Sequence, residues 1–117
     1  MKKDNIIIDK SFNFSLRIIE LYKILKGKKE FVLSKQLVRC GTSIGANVFE
    51  STAAQTKKDF ITKLSIASKE ARETLYWLRL LYESKLVEFD YPSYKNNAEE
   101  IIKILTSIVK TSQERYS

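Results

Sequence analysis

Side chains that exchange protons, attack electrophiles or bind metals are scarce in this chain of 117 residues. It has no histidine and a single cysteine, Cys40. The missing imidazole removes the usual general base and the usual metal ligand. A carboxylate-bridged di-iron bundle needs Glu-x-x-His pairs, so that chemistry is excluded as well. The densest polar pattern lies in VRCGTSIGANVFES, residues 38–51. There Arg39, Ser43, Asn47 and Glu50 fall within an arc of about 80° on a helical wheel. This stripe of cation, hydroxyl, amide and carboxylate borders residues 40–49, which carry no charge. If half-buried, each member must find a partner or cost roughly 1–3 kcal/mol. Helix three offers Ser65, Ser68, Glu70, Arg72 and Glu73 as partners. The expectation is a structural network of Arg39, Ser43, Asn47, Glu50, Glu70 and Glu73 that fixes helix register. The alternative is a ligand or RNA groove lined by Arg39 and Asn47.

Gly41 and Gly45, four apart in the same stretch, do not make a phosphate-cradling loop, because no strand precedes them and no P-loop lysine follows. In a soluble helix such small residues let a second helix come close. With no metal set and no pair of nucleophile and base, neither enzyme activity nor a cofactor is expected.

The elements that hold these residues are helical. One proline and three glycines are too few for the turns of a β protein, and the composition favours an all-α domain. Four segments are expected, at about 11–26, 34–55, 57–84 and 92–113, forming one domain over 1–117. Asp9 or Ser11 can cap the first and Gly27 can end it. Thr56-Lys57-Lys58-Asp59 resembles a capping box for the third, and Pro92 suits the first turn of the fourth. Short connections make neighbours antiparallel, which predicts an up-down-up-down four-helix bundle.

The first helix has two apolar stripes, Phe14-Ile18-Leu21-Leu25 and Phe12-Leu16-Ile19. One helix packed on one side needs only one. The third carries a mixed stripe, Ile66-Glu70-Glu73-Trp77-Leu80, away from its core face. Trp77 with Tyr76 and Arg79 could stack bases, but a Trp beside apolar residues more often anchors an interface. Phe14, Ile18, Ile66, Trp77 and Leu80 are therefore the candidates for contact with another copy or another protein.

Net charge is +7, of which +5 falls in residues 1–50. A local run at Lys23, Lys26, Lys28 and Lys29, joined by Lys35, presents a field suited to the phosphates of RNA or DNA. The longest uncharged stretch, residues 40–49, is too short for a bilayer, which needs about 20 apolar residues. The apolar run Ile6–Ile8 stops at Asp9 and is not a signal peptide. With one thiol and no internal disulfide, a cytoplasmic setting is expected.

The run Arg39…Ser43-Ile44…Ala46-Asn47-Val48…Glu50, followed by Asp59-Phe60, Ile66-Ala67 and Glu70-Ala71, resembles a four-helix bundle family. That family is named for reading frames inside 23S rRNA intervening sequences, and it shows R-x-x-x-S-I-x-A-N-I-x-E on its second helix. YWLRLL at 76–81 and EEIIKILTSIVKT at 99–111 strengthen the resemblance, which spans nearly the whole chain. One departure is Ser51, where many members have Gly. The resemblance implies a left-handed antiparallel bundle and a ring-like homopentamer, with no known activity. A structurally similar branch, the accessory proteins of diversity-generating retroelements, forms basic pentamers that bind nucleic acid and a reverse transcriptase. Residues and resemblance together lead to the expectation of a homo-oligomer that binds RNA through Lys23, Lys26, Lys28, Lys29 and Lys35. The rival is a protein-interaction scaffold whose charge serves solubility.

Overall fold

The computed structural model describes residues 2–116, with side chains from Ile6 to Arg115. It consists of α1 (Lys2–Gly27), α2 (Leu33–Ser51), α3 (Lys57–Ser84) and α4 (Tyr91–Tyr116), with no strand among the described residues.

Helix α1 starts well before the expected Ser11. Ile7 is only 2 % exposed and extends the core stripe of Phe14, Ile18, Leu21 and Leu25 by two turns. Ser11 lies inside the helix, where its buried hydroxyl donates to the Ile8 carbonyl at 3.2 Å instead of capping an end. Gly27 does not end the helix through a left-handed conformation either; Lys29 takes that role, with φ 66°. The Lys29 N–H reaches the Lys26 carbonyl at 2.9 Å and the Glu30 N–H reaches the Leu25 carbonyl at 2.9 Å. These two bonds are the paired closure of a Schellman turn.

The same loop starts α2. Glu30 turns its carboxylate onto three orphan amides, accepting from the N–H groups of Val32, Leu33 and Ser34 at 3.3, 2.9 and 2.7 Å. A carboxylate at this position also opposes the partial positive charge of the helix end. At its far end α2 stops at Ser51, short of the expected Gln55. Ser51 and Thr52 bond back to the carbonyls of Val48 and Phe49, both at 2.6 Å. The N–H groups of Thr52, Ala53 and Ala54 each return three residues, tightening the exit. Thr56 then caps α3, its hydroxyl accepting from the Asp59 N–H at 3.0 Å. Lys85, also left-handed at φ 58°, ends α3, and Pro92 sits in the first turn of α4.

Each helix packs against two others: α1 on α2 and α4, and α3 on α2 and α4. Among the described residues the diagonal pairs do not approach. The body is 48 Å long and 21 Å across. Its core is the inward stripe of each helix, including Leu37, Ile44 and Val48 from α2, Leu64, Ala67, Ala71 and Leu78 from α3, and Tyr94, Ala98, Ile101 and Leu105 from α4. Gly41 and Gly45 lie against α1. A Cβ on Gly41 would stand 2.8 Å from Ile18 Cγ2, and one on Gly45 would stand 3.2 Å from the Ser11 carbonyl oxygen. Across the other side of α1, Lys10 pairs with Glu100 at 3.2 Å. Arg17 donates to Asn97 and to Ser93, the latter at 3.0 Å, and lies 4.0 Å from the centre of the Tyr94 ring. These cross-helix pairings are compatible with antiparallel neighbours.

Candidate nucleic-acid interface

The Schellman turn, the Glu30 cap and the flanking turns of α1 and α2 together present the five lysines that stood out in the sequence. Lys23, Lys26, Lys28, Lys29 and Lys35 are all exposed. Lys23 sits 3.5 Å from Glu20, a solvated i,i+3 pair of little energetic weight. The Lys26 ammonium lies 5.1 Å from the centre of the Tyr22 ring. Among the described residues the ammonium groups of Lys28, Lys29 and Lys35 hold no protein acceptor. Glu30, the carboxylate nearest to them in sequence, is committed to the amides of α2. Ordered backbone, unpaired ammonium groups and an inward-turned carboxylate leave a cationic corner open to an anion.

The expected polar stripe of α2 is divided among separate partners. Arg39 leaves its own helix face and reaches α3, where it pairs with Glu73 and lies 3.6 Å from Glu70. Gln36 braces the guanidinium, its Oε1 accepting from Nε and Nη2 at 3.3 and 3.1 Å. Trp77 adds a bond that spacing alone did not single out: its indole N–H donates to Glu73 at 2.9 Å. The signal for it was present, since Glu73 and Trp77 are four apart on one helix face. Among the described residues Oε2 of Glu70 is buried and accepts no hydrogen bond, and Arg39, 3.6 Å away, is the cation that compensates it. Asn47 turns back on its own helix, donating to the carbonyl and hydroxyl of Ser43 at 2.9 and 3.1 Å. The Glu50 carboxylate is exposed and joins none of this.

Beneath Arg39 lies Cys40, fully buried, with the Thr74 hydroxyl 3.3 Å from its sulfur. Burial pushes the thiol up from 9.0 to about 11, against the opposing pull of the Thr74 bond. At neutral pH it is a protonated core group, not a nucleophile. No group of three or more His, Cys, Asp or Glu side chains is arranged to hold a metal among the described residues.

Two interface candidates require correction. Phe14 and Ile18 are 2 % and 0 % exposed and belong to the core. Helix α1 shows solvent its other stripe, Phe12, Leu16 and Ile19. On α3, Ile66 is exposed, while Trp77 and Leu80 are half-buried. Tyr76 meets Trp77 edge-on at 5.1 Å, and Arg79 is held by Glu83 at 2.6 Å. Two of the three groups suited to base stacking thus already have polar partners. Ser65, Ser68 and Arg72, offered as partners for α2, instead line the opposite side of α3, facing α4.

Residues 3–107 match the family described as 23S rRNA-intervening sequence protein. The chain is also similar to a crystal structure from Bacteroides thetaiotaomicron VPI-5482, a protein of unknown function from the S23 ribosomal protein family. The two are 53 % identical over 92 % of this chain and 98 % of the other, with a TM-score of 0.89. No curated protein matches the chain. No helix among the described residues is long and apolar enough to cross a membrane.

Proposed function

This chain belongs to the 23S rRNA-intervening sequence protein family, and from that premise we propose that it is a non-enzymatic RNA-binding protein. In this reading it is an up-down-up-down antiparallel bundle, acts in the cytoplasm, and assembles into a homo-oligomer, a pentamer. The observation that carries the reading is the α1–α2 corner, where Lys23, Lys26, Lys28, Lys29 and Lys35 are exposed together. Repeated around a ring, five weak phosphate-binding corners gain avidity without new contacts. The parallel with accessory proteins of diversity-generating retroelements is one of architecture and supports the choice of nucleic acid only at that level.

Counterion release supplies the test. With about five phosphates engaged per corner, affinity for a structured RNA should fall roughly 10²–10³-fold between 50 and 200 mM salt. Fluorescence anisotropy with labelled RNA measures it. Absence of binding at low salt, or binding indifferent to salt, overturns the reading.

The exposed stripe Phe12, Leu16 and Ile19, together with exposed Ile66 on α3, favours a second reading as a protein-interaction scaffold. Capture of a partner that survives nuclease treatment and is lost on substituting Ile66 or Trp77 would establish it in place of RNA binding.

A further inference from the structure

The corner is not the only place where cations gather without counter-charge. Between α3 and α4 runs a groove of about 370 Å³, lined by Lys69 and Arg72 from one helix and Lys110 from the other. Ser65, Ser68 and Thr106 contribute hydroxyls, Leu105 and Val109 contribute an apolar floor, and no carboxylate lines the groove. Lys69 and Arg72, three apart on one helix, lie about 5–6 Å from each other at Cβ, a spacing at which like charges repel.

Arg72 contrasts with Arg17, Arg39 and Arg79. Arg39 holds Glu70 and Glu73, Arg79 holds Glu83, and Arg17 holds Asn97 and Ser93. Among the described residues the guanidinium of Arg72 has no protein acceptor, and neither do the ammonium groups of Lys69 and Lys110. A planar guanidinium offers paired donors that fit two oxygens of one phosphate, and ammonium groups satisfy neighbouring phosphates as point charges. Hydroxyls alongside can donate to the same oxygens, and an apolar floor suits the face of a sugar or base. A cationic groove suits the backbone of a single strand.

We infer that the α3–α4 groove binds the phosphodiester backbone of a single-stranded nucleic acid. Arg72 grips one phosphate with both arms of its fork, and Lys69 and Lys110 meet the flanking ones. The inference rests on the nucleic-acid reading above and adds a second, independent face to it.

The test is anisotropy of a fluorescein-labelled single-stranded oligoribonucleotide over a salt series from 50 to 200 mM. It compares the wild type, the groove triple variant K69A/R72A/K110A and the corner triple variant K28A/K29A/K35A, each checked for an unchanged melting transition. Removing three phosphate contacts should flatten the slope of log K against log salt by about two for a single strand. Affinity at 50 mM salt should fall at least tenfold. The conservative variant R72K, which keeps the charge and loses the fork, should weaken binding several-fold with the slope nearly unchanged. A groove triple variant that binds like the wild type, while the corner triple variant loses binding, overturns the groove and leaves the corner standing. The reverse result leaves the groove as the site and removes the corner. A wild type that fails to bind the strand at 50 mM salt overturns the groove, while the corner is tested by the structured RNA.

Discussion

Helices α1 and α2 meet with almost nothing between their backbones, whereas α3 and α4 meet across an open groove. At the first contact Gly41 and Gly45 bring α2 onto Ile18 and the Ser11 carbonyl. At the second, Ser65, Ser68, Arg72 and Lys110 line a groove along the outer edge of the contact. The difference teaches where this fold places stability and where it leaves room for a ligand. Small residues give a close seam, tightest at Gly41, where an added methyl must displace a neighbour. Polar and cationic residues at corresponding outer positions give a surface whose individual side chains contribute little to folding.

Three measurements sharpen or break that contrast, the largest effect first. Cys40 lies at the α2–α3 contact beside Thr74, and its thiol is raised to about 11 in the folded chain from 9.0. Because the folded state holds the proton more tightly, its contribution is complete below pH 9. It is then lost as pH rises through 11, amounting to about 2–3 kcal/mol. Denaturant titrations at pH 8, 9, 10 and 11 should show the wild type losing stability relative to Cys40→Ala by that amount. A constant difference across the series would mean that water already reaches the thiol.

Next is Gly41→Ala. The new methyl meets Ile18 at 2.8 Å, and Ile18 is fully buried and cannot yield. Overpacking should outweigh the gain in helix propensity and leave a net loss of about 1–2 kcal/mol. Ser68→Ala in the groove should stay within about 0.5 kcal/mol of the wild type. Equal losses at the two sites would erase the distinction. Smallest is Lys29→Gly. The left-handed φ of 66° suits glycine, so thermal melting should show a gain of about 0.5–1 kcal/mol. The same change removes a corner cation, so RNA binding should weaken while the fold strengthens.

Much of the bundle was legible from periodicity. The core residues of α2 and α4 follow the apolar spacing, whereas on α3 the spacing points to Tyr82, which is 57 % exposed while Leu81 is buried. The Thr56 cap and the place of Pro92 follow from local chemistry. The start of α1 was misread because Asp9 and Ser11 are good caps by type. The stronger signal was Ile7, seven residues before Phe14 on the same face, which only a helix running through Ser11 keeps in the core. Gly27 is the last residue of α1 as expected, although the left-handed turn falls on Lys29 and the Glu30 carboxylate completes the junction. The sequence placed Glu70 and Glu73 near Arg39, but it could not say which side of α3 faces α2. That depends on the hand in which four helices are arranged, and no pattern within one helix encodes it. Ser65, Ser68 and Arg72 were therefore assigned to the wrong neighbour, and the groove they line went unseen.

The α1–α4 contact also bears on the order in which the chain folds. Lys10–Glu100 and Arg17–Asn97 join residues 90 and 80 apart, while five-residue loops join α1 to α2 and α2 to α3. Closing a long loop carries a larger entropic cost than closing a short one, and distant contacts slow folding. The hairpin-like pairs therefore assemble first, and α4 returns to α1 late. Arg17→Ala should accordingly speed unfolding while leaving the folding rate nearly unchanged in stopped-flow measurements, the signature of an interaction absent from the transition state.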